Sequence, residues 1–427
     1  MLLLLLLLAC TPSRETRPSV PGASEASEDS APLEDSAADC PSDPRRPFPQ
    51  RLRLPGTRSR LGGDPLVHEE AVLAAYQDWT ESWLAQAPPA TDGSPRYRVR
   101  TGGEDSPTVS EGQGYGMVLV ATMAGADPLA QARFDGLWRF AQDHASVRDP
   151  RLMDWHVPAD ELDEGGADNS AFDGDADIAM GLLLADAQWG SDCGVDYRAA
   201  AARVLEGLQE SAVGPDSRLP LLGDWVGVWE DDYDQWDFRS SDVMPAHFTA
   251  FAALDPAWED VREQSLLAAE AVERQLGPQT GLLPDFALDG GDGAWEARPN
   301  YLEGPTDDDW SYNAVRAPWR LGQAGLEGDE RAASLALGMS RWAEQETGGD
   351  PTALRAGYRL DGGTLQGSGY WHPLFAATLG PAAMNDIHGQ AWLDAIWAAV
   401  AAERHDYYSD TVSLLAMLVM TENTWLP

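Results

Sequence analysis

Three stretches of the chain concentrate side chains able to move protons or grip a polar ligand. The first, Ser110-Glu111-Gly112-Gln113-Gly114-Tyr115-Gly116-Met117, puts a carboxyl in the first turn of a predicted helix, just after a serine able to cap it. Its alternate glycines each cost ~1 kcal/mol in a helix relative to alanine, so close approach of a ligand or another helix must offset them. The second, Ala171-Phe172-Asp173-Gly174-Asp175-Ala176-Asp177-Ile178-Ala179, begins like a calcium loop. It carries Ile178 where the turn glycine belongs and Leu184 where the bidentate glutamate belongs, and so fails as one. It reads instead as carboxylates opening an amphipathic helix, with Asp173 the one placed to face a cleft. The third runs from Tyr301-Leu302-Glu303-Gly304 through Asp307, Asp308 and Asp309 to Ser311-Tyr312-Asn313-Ala314-Val315-Arg316, and gathers acids, aromatics and arginine. On position alone Glu111 is equally a favourable first-turn residue and a proton donor, and the helix terminus accounts for Asp175 and Asp177.

Composition narrows the chemistry. Among 427 residues, 70 acidic side chains face 29 basic ones, giving a net charge of −41 that repels polyphosphates, so no nucleic-acid partner is expected. Every basic residue apart from histidine is arginine, and without lysine a Gly-Lys-Ser/Thr phosphate loop cannot form. The 7 histidines show neither His-Glu-x-x-His spacing nor a cysteine partner, so neither a metal nor another cofactor is expected.

Stepping outward to the elements that carry these segments, residues 65–427 alternate apolar positions three and four apart with Gly-, Pro- and Asp-rich breaks. The pattern predicts about twelve helices, near 68–86, 111–125, 128–145, 173–189, 196–213, 242–254, 256–275, 311–323, 328–346, 366–380, 384–404 and 406–421. Stripes such as Ile178, Leu182, Ala185 and Trp189 mark core faces. Alternating apolar runs are few and short, which leaves room only for small hairpins, near 219–239. The class is all-α, one domain of paired helices, closed ring or open solenoid.

The N-terminal region differs. Residues 2–8 are all leucine, and Leu8-Ala9-Cys10 resembles the lipobox of bacterial lipoproteins, although no positive charge precedes it. Seven leucines fall short of the ~20 apolar residues that span a bilayer. Residues 1–10 are therefore expected to act as an export signal, giving an extracellular or cell-envelope location with membrane attachment only through lipid at Cys10. Residues 11–60, rich in Ser, Pro, Ala, Glu and Arg, read as a flexible tether. Cys40 and Cys193 are left as either one disulfide or two thiols.

Taken together, the three chemical segments are similar to those of glycoside hydrolase family 8, the inverting β-glycanases that include endoglucanases, xylanases, lichenases and chitosanases. The resemblance covers most of residues 65–427. It includes Leu152-Met153-Asp154-Trp155, Leu283-Pro284-Asp285-Phe286 and the stretch from Tyr407-Tyr408 to Trp425, with Phe172 and Gly181 departing from the family signature. It implies an (α/α)6 barrel acting on a polysaccharide, with Glu111 as general acid and Asp173 holding the sugar at the cleavage point; a monomer is expected. Trp155, Trp225, Tyr312, Arg316 and Tyr408 resemble cleft residues. Where many members carry the base, directly after Tyr312, this chain has Asn313, whose amide cannot accept a proton. A branch that includes chitosanases is similar in this respect and draws the base from a nearby loop. Glu303 is the candidate, with Asp308 and Asp309 as alternatives.

Inverting hydrolysis needs a protonated carboxyl and an ionised one ~6.5–9.5 Å apart, so Glu111 must be buried and Glu303 wet. The implied substrates are chitosan or β-glucan, then cellulose or xylan. Asn313 also admits a second expectation, a catalytically weak carbohydrate-binding surface protein on the same barrel.

Overall fold

A computed structural model describes residues 43–427 except 162–164, 193, 231 and 290–292. Cys10, Cys40, Cys193, the signal segment and residues 11–42 of the tether lie outside the described residues.

The helices are α1 (Pro65–Ser82), α2 (Ser110–Thr122), α3 (Ala130–Asp143), α4 (Phe172–Trp189), α5 (Tyr197–Ser211), α6 (Pro245–Ala252), α7 (Ala257–Leu276), α8 (Ala317–Glu327), α9 (Glu330–Thr347), α10 (Pro373–Ala377), α11 (Leu379–Ala383), α12 (Gln390–Val400) and α13 (Tyr407–Met420). Capping explains several starts: Asp64, Asp196, Asp329 and Asp406 each accept a backbone N–H from the first turn that follows. Gly328 and Gly348 end α8 and α9 in the left-handed conformation that glycine adopts without strain.

Burial sorts these helices into two alternating sets. Helices α2, α4, α6, α8 and α13, with the α10–α11 pair, are covered almost all round. Helices α1, α3, α5, α7, α9 and α12 bury one face and expose the other. A ring of buried helices inside a ring of amphipathic ones is the (α/α)6 barrel. Thr378 links α10 to α11 in helical backbone geometry, so the two short pieces fill one place in the inner ring.

The strands are short and local. β1 (Leu84–Ala87) and β2 (Arg96–Val99) form an antiparallel hairpin, β3 (Thr108–Val109) pairs with β4 (His156–Val157), and β5 (Asp237–Arg239), β6 (Phe286–Asp289) and β7 (Trp295–Glu296) make a three-stranded sheet. The hairpin expected near 219–239 is corrected: the strand of that region pairs with β6, and the hairpin follows α1, which stops at Ser82 rather than running to residue 86. The helix expected over 311–323 begins only at Ala317, with Pro318 in its first turn, and the one over 366–380 begins at Pro373.

Residues 43–60, read as the end of the tether, belong instead to the barrel. Their backbone N–H groups reach carbonyls at the C-terminal ends of inner helices: Arg45 to Gln188, Phe48 to Ala124, Leu52 to Glu422, Gly56 to Leu326 and Ser59 to Met384. This strap satisfies orphan carbonyls that the last helical turns leave unpaired. It lies across the end of the barrel opposite the N-termini that carry the predicted chemistry.

Candidate active site

Glu111 sits in the first turn of α2, Asp173 in the first turn of α4, Arg316 just before α8, and Tyr407 and Tyr408 open α13. Close helix contact explains the glycines of the first segment. A Cβ on Gly114 would lie 2.7 Å from the carbonyl oxygen of Gly174 in α4, and one on Gly112 would collide with the Tyr407 hydroxyl.

The Arg316 guanidinium, 1% exposed, is the hub. Its Nη1 donates to Glu111 Oε2, to Asp173 Oδ2 at 2.9 Å and to the Tyr115 hydroxyl at 3.2 Å, while its Nη2 donates to Asn313 Oδ1 at 2.8 Å. Burial pushes the Glu111 carboxyl up to about 7; the Arg316 charge opposes this and the Asp173 charge adds to it. Asp173 is still more deeply buried, yet the charges of Arg239 and Arg316 outweigh desolvation and hold it below its ordinary range. One carboxyl therefore keeps a proton near neutral pH while its neighbour stays ionised.

Glu303 lies beyond this pair. Asn313 donates through Nδ2 to Glu303 Oε2 at 2.9 Å, and Arg239 Nη2 lies 3.3 Å from Glu303 Oε1. The Glu303 side chain is 49% exposed, so it stays in water. Its loop is built by buried Asp307, whose carboxylate accepts the N–H groups of Leu302, Glu303 and Gly304. The turn carrying Tyr312 and Asn313 is built in the same way by Asp285, which accepts from Ser311 N at 3.0 Å and Ala314 N at 2.7 Å. Burial lifts the Asp285 carboxyl to about 8. Asp309 faces other charges: those bearing on it are Asp308, Arg359 and Asp361.

The aromatic candidates divide. Trp155 is 40% exposed, and its carbonyl accepts the Ser110 N–H at 3.0 Å, tying it through the β3–β4 pair to the residue before Glu111. Trp225 is half-buried in a satellite cluster with Tyr233 and Tyr301 that backs the Glu303 loop. The Tyr312 hydroxyl meets that of Tyr370 at 2.9 Å, and Tyr408 donates to the Tyr312 carbonyl at 2.7 Å, with the Arg316 guanidinium 5.8 Å from the Tyr408 ring.

Sequence reasoning missed Arg239, and it placed Asp285 and Asp307 in segments of interest without giving either a role. For Arg239 the signal was its isolation, the sole arginine between Arg218 and Arg262, flanked by Asp237 and Asp242. Among the described residues no group of three or more His, Cys, Asp or Glu side chains is placed to hold a metal ion.

Residues 70–422 match the model of glycosyl hydrolases family 8. The chain is 34% identical over 389 residues to a β-glucanase of Niallia circulans, covering 90% of this chain and 92% of that protein. It is 32% identical over 393 residues to an endoglucanase of Bacillus sp. strain KSM-330, covering 90% of this chain and 82% of that one. Among solved structures, the apo β-1,3-1,4-glucanase of Paenibacillus sp. X4 superposes with a TM-score of 0.84 at 32% identity, over 90% of this chain and all of that one. A cold-adapted family 8 xylanase, at 17% identity and a TM-score of 0.66, shares the fold. The chain belongs to glycosyl hydrolases family 8 and is an endo-acting hydrolase of β-linked polysaccharides.

Proposed function

We propose that the enzyme cleaves a neutral β-glucan of the mixed β-1,3-1,4 type with inversion, Glu111 acting as general acid and Glu303 as general base. The observation that carries this reading is the asymmetry of the two carboxyls: Glu111 is largely buried with its proton held up to about 7, and half-exposed Glu303 is linked to it indirectly, through Asn313, Arg239 and Arg316. Glu111 gives its proton to the glycosidic oxygen as the bond to C1 breaks. Glu303 takes a proton from the water that adds to C1 from the opposite face. Each turnover leaves Glu111 ionised and Glu303 neutral, and exchange with solvent restores both. Asp173, fixed as an anion, stabilises the positive charge that develops on the sugar ring.

A neutral sugar is favoured over chitosan by the charge balance at the centre. Asp173 is already shared by Arg316 and Arg239, and Glu303 contacts Arg239, so an ammonium-bearing sugar finds both of these carboxylates already paired with guanidiniums. The β-glucanase and endoglucanase relatives point the same way. Reducing-end release over mixed-linkage β-glucan, cellulose, xylan and chitosan tests the reading. Fastest turnover on β-glucan, abolished in Glu111→Gln, is expected; turnover confined to chitosan contradicts the substrate, and an active Glu111→Gln contradicts the mechanism.

The Leu8-Ala9-Cys10 segment supports export with acylation at Cys10. Mass spectrometry of the membrane fraction checks it: a lipid-modified Cys10 is expected, and an unmodified N-terminus with all protein in the soluble fraction removes it.

A further inference from the structure

We propose that Arg239 is a positioning residue that aims the water-activating carboxylate, an inference that rests on the reading of Glu303 as base. Arg239 ends β5 opposite Phe286 of β6, and its guanidinium lies 5.8 Å from the Phe286 ring. From there it enters the centre with a side chain only 13% exposed. Its Nε and Nη2 both donate to Asn313 Oδ1, at 3.0 and 2.6 Å, and its Nη1 donates to Asp173 Oδ2 at 3.2 Å. With Arg316 Nη2 also on Asn313 Oδ1, two cations fix that amide. Rotating it by 180° would set an NH2 group against guanidinium donors, so Nδ2 must point at Glu303 Oε2.

Glu303 is thus held from two sides, by Arg239 on Oε1 and Asn313 on Oε2, although half its side chain is in solvent. The backbone of its loop is held separately by Asp307. Loss of Arg239 therefore releases the direction of the carboxylate and leaves the loop in place. Positional errors of ~1 Å in such a group cost on the order of 10²-fold in rate.

The test is steady-state kinetics on mixed-linkage β-glucan for Arg239→Lys, Arg239→Ala, Glu303→Gln and the Arg239→Lys/Glu303→Gln double variant. Lysine keeps the charge but cannot reach Asn313, Asp173 and Glu303 together. A kcat about 10-fold lower in Arg239→Lys and about 10²-fold lower in Arg239→Ala is expected, with KM within about threefold. Millimolar guanidinium should restore part of the activity of Arg239→Ala and none of that of Glu303→Gln. If Arg239 acts through Glu303, the double variant is no slower than Glu303→Gln alone. Wild-type kcat in a normally melting Arg239→Lys, or multiplicative losses in the double variant, overturn the inference while an inactive Glu303→Gln leaves the base in place. An active Glu303→Gln overturns the base assignment itself. Should Arg239→Ala fail to fold, Arg239→Lys and the double variant decide.

Discussion

Two charge layers are stacked inside the barrel, one helical turn apart. The upper holds Asp173 of α4 and Arg316 at the start of α8; the lower holds Asp177 and Arg320, four residues further along each. In the lower layer one guanidinium serves one carboxylate: Arg320 Nη1 donates to Asp177 Oδ1 at 2.9 Å, Nη2 to Oδ2 at 2.5 Å, and His247 Nε2 lies 2.8 Å from Oδ1. Burial alone would raise Asp177, but Arg320 and then His247 outweigh it and hold the group near about 2. In the upper layer a single Arg316 Nη1 is divided between Glu111 and Asp173, Arg239 reinforces Asp173, and Glu111 is left with its proton. The same residue types give a fixed ion pair below and a carboxyl that keeps its proton above. The allocation of the cations decides which: Arg320 serves Asp177 alone, whereas Arg316 is divided between two carboxyls and Arg239 reinforces only Asp173.

The most severe way to break this contrast is Glu111→Gln, expected to lower kcat by about 10³-fold or more, since the proposed general acid is lost outright. The wild type should lose rate as pH rises through about 7, where the donor gives up its proton. The same proton leaves a stability signature. A carboxyl raised in the folded state makes the protein less stable as pH climbs from its unfolded value toward 7, so Glu111→Gln should melt above the wild type at pH 8, by on the order of 2 kcal/mol, with the difference vanishing near pH 4. Thermal melts across that range check it, and a variant less stable at every pH contradicts it. Glu303→Gln comes next, with a loss of about 10²-fold that azide, a nucleophile needing no deprotonation, should partly restore.

Variants of the lower layer should behave in the opposite manner. Asp177→Asn strips Arg320 of its buried counter-ion and is expected to lower stability by about 3–5 kcal/mol. Its kcat, measured well below the melting temperature, should stay within about 10-fold of wild type because no group of the lower layer touches the reacting bond. A variant as stable as wild type but catalytically dead would erase the distinction between the layers.

How much of this was legible follows from the range of the interactions. The succession of helices is local periodicity, and so are the acid-bearing first turns of α2 and α4, and these were readable; the closing of the helices into two rings rests on distant contacts that periodicity does not carry. Asp177 also looked like a first-turn acid, because its partners Arg320 and His247 are 143 and 70 residues away. The role of Arg239 is hidden for the same reason, its isolation in the sequence pointing to no partner: β5–β6 pairing carries it to Glu303 and Asn313, 64 and 74 residues on. The strap over 43–60 escaped because its order comes from backbone N–H groups meeting helix-end carbonyls, which side-chain composition does not encode. Asn313 was read as a lost base; in place it is the amide that hands Glu303 its orientation.

Smaller effects sharpen the account. Asp285→Asn keeps an acceptor for Ser311 N and Ala314 N while removing a carboxyl lifted to about 8 by burial, so kcat should stay near wild type and stability above pH 8 should rise. Asp285→Ala, which unties the turn, should lose both. Tyr312→Phe removes only the exposed 2.9 Å contact with Tyr370 and should cost ~1 kcal/mol or less, read as a change in KM of a few fold.

The central claim is that a proton-bearing Glu111 and an ionised Glu303 stand far enough apart for a water molecule to enter between base and sugar. Proton NMR of the anomeric region in the first minutes of mixed-linkage β-glucan hydrolysis tests it most directly. The account predicts that newly formed reducing ends appear as the α anomer and mutarotate to β; β anomers appearing first would place the carboxyls close enough for a covalent intermediate and contradict it.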